Sequence, residues 1–201
     1  MEGLFFYWVT WIIWTVTTFF LRKTKERFYV SAVLLLIIHT SSITLHYEEF
    51  SFNGSLFLIG ILGYAYIGIQ DNKLVIPAIL LSLMLSIVYI GMQYVVLNDP
   101  YWLVYGVNLF AAVPIVLLLL IMIKDVRIRI GVLLSAYVHG ELGYGLFVNV
   151  PDIQVMGGEL FLSHLSISGC ILFLWTLYEK ITTGMKVKMD RPKKHVKEGL
   201  H

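Results

Sequence analysis

All 15 lysines and arginines of this 201-residue chain fall in four short stretches, separated by long apolar runs that come in pairs. Arg22, Lys23, Lys25 and Arg27 form the first cluster, and Lys73 stands alone as the second. Lys124, Arg127 and Arg129 form the third, and Lys180, Lys186, Lys188, Arg191, Lys193, Lys194 and Lys197 occupy the C-terminal region. The intervening connections, "HYEEFSFNG", "NDP" and "PDIQVMGGE", contain no basic residue. Chains that cross a bilayer repeatedly gather the lysines and arginines of their short loops on the cytoplasmic side. Cationic and cation-free connections therefore alternate here only if seven segments cross, with the N-terminus outside and the C-terminus in the cytoplasm. One crossing more or fewer would scatter the charges over both faces.

The apolar runs supply candidates for those crossings: 3–21, 28–45, 55–70, 74–97, 101–123, 130–150 and 160–178. Most approach the roughly 20 residues that span about 30 Å of hydrocarbon, and the third is the shortest. A spanning segment must satisfy its own amides, so each is expected to be helical. Composition agrees. Hydrophobic residues make up 58% and charged residues 14%, far short of the polar surface of a water-facing globule. The expected fold class is all-α, a polytopic helix bundle covering residues 1–178, followed by a basic, flexible cytoplasmic tail over 179–201. Tyr7, Trp8, Tyr94, Tyr101 and Trp102 fall where interfacial aromatics belong. The opening run lacks a basic n-region and a small-residue cleavage site, so it is expected to remain as the first helix. Cys170 is the only cysteine, which rules out an intramolecular disulfide.

In the tail, Gly184 and Pro192 argue against one continuous helix. Its basic residues, chiefly Lys186, Lys188, Arg191, Lys193 and Lys194, are candidates for contact with anionic lipid headgroups. The bland alternative is that they hold the topology and stay solvated. No base-stacking aromatics accompany them, so nucleic acid is not an expected partner; the lipid bilayer is.

Polar groups inside the apolar runs mark where a site would have to be. "SAYVHGELGYGLF" carries His139 and Glu141, ten and twelve residues past Arg129, or roughly 15–18 Å into the membrane. A carboxylate at that depth must be protonated, paired or facing a watery cavity, and is by default a functional candidate. At a spacing of i, i+2 the two side chains point about 200° apart, so Glu141 shares a stripe with Tyr137, Tyr144 and Gly145 while His139 does not. His39 lies twelve residues past Arg27 at a similar counted depth, with His46 two turns later; Asn108, His164, Asn149 and Gln93 fall in the outer halves. These positions predict an outward-opening polar cavity built by the second, fifth, sixth and seventh helices, with Glu141, His139, His39, Asn108, His164 and Tyr144 as its candidate residues. For isolated histidines and asparagines the competing explanation is an ordinary interhelical hydrogen bond. The glycines of "HGELGYG" suit close helix packing, or a broken helix lining a site.

Three functions fit this pattern. A small transporter or ligand-binding membrane protein would use Glu141 as its protonatable group, and "GILGY" at 60–64 against "GELGY" at 140–144 hints at an inverted repeat. A non-enzymatic scaffold would use small-residue stripes such as Ser163, Ser166 and Cys170 for helix contacts. An intramembrane hydrolase could draw on His39, His139, His164 and Glu141 for zinc, but no H-E-x-x-H fixes a metal and no i, i+4 ligand pair exists. With no G-x-S-x-G, P-loop or dinucleotide fingerprint either, no cofactor and no metal are expected and catalysis is the weakest of the three.

The opening "MEGLFFYWVTWIIWTVTTFFLRKTKERF" and the layout of spans resemble the YphA-type membrane proteins of Bacillus and related spore-forming bacteria. The resemblance covers the whole chain and implies a bacterial cytoplasmic membrane, with sporulation as a physiological setting to consider. It brings no active-site motif and no functional residue.

Overall fold

The computed structural model describes residues 3–47, 50–99, 107–147 and 155–189; the side chains of 107, 108 and 184–189 fall outside the description. Helix α1 spans Leu4–Thr15 and continues as a π-helical stretch over Val16–Phe20. Helix α2 spans Lys25–Thr40, α3 Gly54–Gly68, α4 Asn72–Asn98, α5 Val107–Met122, α6 Val126–Phe147 and α7 Glu159–Met189. Between α2 and α3 lies a hairpin of β1 (Thr44–Tyr47) and β2 (Phe50–Asn53), paired antiparallel with Thr44 opposite Asn53.

Local chemistry sets the helix starts. Thr24 accepts a hydrogen bond from the Arg27 amide at 3.3 Å to cap α2. Asn53 accepts from the Ser55 amide at 2.9 Å to cap α3, and its side-chain amide donates to the Ser41 carbonyl at 2.7 Å, tying the hairpin to the end of α2. Asp125 accepts from the Arg127 and Ile128 amides at 2.8 and 3.2 Å ahead of α6.

Helix α6 is the centre of the bundle. Nine of the twelve residues from Arg129 to Gly140 are buried, against α3 on one side and α4 on another. Close approach of α3 relies on small residues in antiparallel register. A Cβ on Gly63 would stand 2.7 Å from Ser135 Oγ, one on Gly131 2.9 Å from Ile67, and one on Gly60 3.5 Å from Val138. The glycines of 60–64 therefore pack directly against α6. On the α4 side, a Cβ on Gly140 would meet the Tyr89 ring and one on Gly143 would meet Ile90. Large apolar side chains such as Phe19, Phe20, Ile69, Ile121 and Phe147 point outward with 70–84% of their surface exposed, as a lipid-facing surface requires.

The contacts sort the connections to two ends. Tyr7 bonds Ser41 at 3.1 Å and Thr18 bonds Ser31 at 3.2 Å, so α1 and α2 are antiparallel. Arg129 pairs with Glu179 at 2.9 Å, joining the start of α6 to the far part of α7. One end gathers the hairpin, residues 155–158 and the starts of α1, α3 and α7. The other, basic end gathers 21–24, 69–71 and 123–125.

Several expectations need correction. The second apolar run does not continue helically to residue 45: α2 stops at Thr40, and "TLHY" and "FSFN" pair as strands, because alternating β-branched and aromatic residues suit a ladder better than a helix. His46 is thus a strand residue, its Nδ1 bonded to Ser51 Oγ at 2.8 Å. Helix α7 does not end near residue 178 but runs through Gly184 to Met189. Among the described residues, only α4 and the 159–183 part of α7 are long and apolar enough to cross a bilayer on length and composition. The others are shorter, or carry charges: α2 opens on Lys25, Glu26 and Arg27 and rises only about 24 Å.

Candidate functional site

At the hairpin end a pocket of about 360 Å³ opens between the hairpin, α4, α6 and the start of α7. Exposed Thr44 and Glu159 stand on its rim; Asn53, Gln93, Glu141 and Tyr144 line its interior. Each arrives there for a local reason. Asn53 is fixed by its capping role. Gln93 and Tyr89 lie one turn apart on α4, so both face α6, and the Gln93 amide donates to the Tyr89 hydroxyl at 3.1 Å. Glu141 and Tyr144 are three apart on α6 and share a face.

Glu141 is held at both oxygens. Tyr89 donates to Oε2 at 2.7 Å, and the backbone N–H of Gly157 donates to Oε1 at 3.0 Å. Gly157 adopts φ +79°, a conformation that favours glycine, and so turns its amide toward the carboxyl. Residues around it are anchored to the hairpin: the Asn53 amide donates to the Met156 carbonyl and the Met156 amide to the Ser51 carbonyl, each at 2.8 Å. The hairpin, the turn before α7 and Glu141 thus form one hydrogen-bonded unit.

Below Glu141 the bundle closes. Tyr89, Tyr137, Phe161 and His164 are at most 1% exposed. Tyr89 and Tyr137 meet at a tilt with 5.0 Å between centroids, Tyr89 meets His164 edge-on at 6.1 Å, and Tyr137 bonds Ser168. The pocket ends on this aromatic layer.

The structure brings together only part of the candidate set. Glu141 and Tyr144 line the pocket and His164 lies in the aromatic layer beneath. His139 points away: its ring bonds the Tyr64 hydroxyl and approaches Ser82 Oγ at 3.4 Å, on the α3–α4 side of α6. His39 is exposed one residue before the end of α2 and does not line the pocket that holds Glu141. The hydrolase constellation of His39, His139, His164 and Glu141 therefore does not converge, and no cluster of three metal-ligating side chains occurs among the described residues. The side chain of Asn108, residue Asn149, and the headgroup candidates Lys186, Lys188, Arg191, Lys193 and Lys194 lie outside what the structure describes. Helix α4 supplies pocket residues that were expected from α5. Tyr89 and Gly157 were missed, although the Tyr89/Gln93 pairing at i, i+4 and the glycine pair at 157–158 were readable signals.

The profile of YphA-like integral membrane proteins matches residues 2–198. The chain belongs to that family. Membrane contact is thereby a family property, in keeping with the apolar exterior of the bundle. A relative, the uncharacterized protein YphA of Bacillus subtilis (strain 168), is 26% identical over 197 residues, covering 96% of this chain and 97% of that protein. No solved structure matches the chain.

Proposed function

We propose that this family member is a seven-span protein of the bacterial cytoplasmic membrane, N-terminus outside and C-terminus inside, that binds a small ligand in its outward-opening pocket. The observation that carries this reading is the setting of Glu141: a carboxyl clamped by Tyr89 and Gly157 within a 360 Å³ cavity at the end of the bundle opposite the basic connections. An intramembrane carboxyl that touches a cavity is by default a functional candidate.

The pocket carries two carboxyl groups, Glu141 and Glu159, with amide and phenol groups and no lysine or arginine in its lining. Such a wall suits a small ligand with hydrogen-bond donors or a positive charge, which Tyr144 can also meet with its ring face. The aromatic layer under the pocket favours binding over transport, because passage would require Tyr89, Tyr137 and Phe161 to part.

Two measurements test this. In a Cys170→Ser background, cysteines at positions 44 and 159 should react with a membrane-impermeant maleimide added to intact cells; access only from the cytoplasmic side would overturn the orientation. In purified protein, small amines such as ethanolamine, choline and spermidine should raise the melting temperature of the wild type but not of Glu141→Leu, whereas acetate and phosphate should do neither. Stabilisation by anions alone, or an amine effect unchanged in Glu141→Leu, would overturn the binding reading.

A further inference from the structure

Away from the pocket, an apolar groove of about 330 Å³ runs between α6 and α7 toward the basic end. Ile130, Leu133 and Leu134 form one wall, Leu172 and Phe173 the other, and Lys180 stands at the mouth. Helix α7 is tied to α6 by Tyr137 to Ser168 in mid-bundle and by Glu179 to Arg129 at the basic end, and the groove lies along the stretch between. Between those ties Gly169 leaves space: a Cβ there would meet nothing within 4 Å.

We propose that this groove holds an acyl chain of an anionic phospholipid whose phosphate rests against Lys180. Three features support that occupant. The walls are apolar, with Leu133 and Leu172 recessed at 3% and 4% exposure and Phe173 standing out at 67%, so an empty slot would forfeit dispersion contacts along its length. The lining runs along α7 from Leu165 to Lys180, about 22 Å of rise, which reaches from the headgroup level past the middle of a hydrocarbon core about 30 Å thick. A groove of about 330 Å³ spread over that length is too narrow to admit a helix about 10–12 Å across and suits a thin, flexible chain. Charge selects the headgroup. The neighbouring acid, Glu179, is engaged by Arg129 at 2.9 Å and by the Trp175 indole N–H at 2.8 Å, which leaves the Lys180 ammonium for a phosphate.

The test is native mass spectrometry of the full-length protein in detergent, with phosphatidylglycerol and phosphatidylcholine of equal chain length added in competition. The wild type should retain phosphatidylglycerol at least threefold over phosphatidylcholine. Lys180→Gln should bring that ratio near one, and Gly169→Leu, whose Cβ has open space and whose side chain would occupy the groove, should reduce retention of both lipids severalfold without lowering the melting temperature. Equal retention by the wild type, or a ratio unaltered in Lys180→Gln, would overturn the headgroup assignment. Undiminished lipid in Gly169→Leu, or a lipid-free dimer as the dominant species, would overturn the groove as an acyl site.

Discussion

Substituting alanine for Gly157 should damage the hairpin end more than any other single methyl added to a described glycine turn. Two costs combine. The φ of +79° must be kept for the amide to reach Glu141, and a Cβ in that left-handed region costs about 1–2 kcal/mol. The new methyl would also stand 2.7 Å from Cβ of Leu56, a fully buried residue, and overpacking of that kind costs about 1–3 kcal/mol. The sum is at least about 2 kcal/mol, and at about 2–4 °C per kcal/mol for a chain this size the melting temperature should fall by at least about 4–8 °C. Thermal unfolding in detergent, followed by tryptophan fluorescence, reads this directly. Gly91→Ala is the control: Gly91 sits inside α4 with nothing within 4 Å, so alanine there should be neutral or stabilise by up to about 1 kcal/mol. In a Leu56→Gly background that Cβ is removed, and Gly157→Ala should cost only the conformational part, about 1–2 kcal/mol. If Gly157→Ala melts within about 2 °C of the wild type, or no lower than Gly91→Ala, the turn does not hold Glu141 in the way described.

The other expectations concern the two ends and the α3–α6 contact. Glu179→Gln strips the buried Arg129 of its charge partner and leaves it the Ile123 carbonyl at 2.6 Å; because Glu179 itself is 39% exposed, the loss should be about 1–3 kcal/mol rather than the full cost of a buried pair, read as a lower melting temperature. Gly63→Val should separate α3 from α6, since its Cβ would meet Ser135 Oγ at 2.7 Å and the Ser135 backbone nitrogen at 3.0 Å; a drop of about 1–3 kcal/mol is expected, and wild-type stability would refute the packing register. Tyr64→Phe removes the partner of His139 and should cost only about 0.6 kcal/mol while leaving amine-induced stabilisation intact; a loss of that stabilisation would place His139 in the binding machinery after all.

How much of this could be read beforehand depended on which physical signal each element carried. Apolar length located the helices well: runs 55–70 and 74–97 became Gly54–Gly68 and Asn72–Asn98 with ends shifted by at most two residues. It failed at 41–53, where hydropathy averages over a period-2 pattern; "TLHY" and "FSFN" flanking two glutamates carry the alternation of a hairpin, and only a test for that period would have found it. The count from Arg27 to His39 runs along an unbroken helix; what it could not give is which way the side chain faces, and His39 is exposed and outside the pocket. Glu141 was legible as a carboxyl in an apolar run, and its divergence from His139 follows from helix geometry alone. Its partners were not. Tyr89 reaches it from α4 and Gly157 from a turn sixteen residues on, and such pairings exist only after packing.

The charge pattern also shapes what the proposed site can bind. Among the described residues the lining of the pocket holds no lysine or arginine, and the carboxyl of Glu141 meets two neutral donors there. A site formed under that constraint can accommodate an acid by protonation, by hydrogen bonds or with its ligand. Tyr89 and Gly157 supply the hydrogen bonds, one donor per oxygen of Glu141, while Glu159 on the rim is exposed. Introducing a cation should therefore act as a ligand substitute: Thr44→Lys, at an exposed rim position where the long side chain can bend into the pocket, should raise the melting temperature and abolish the response to added amines together. Stabilisation by the lysine with the amine response preserved would separate the two effects and show that the carboxyls of the pocket are not what the amines engage.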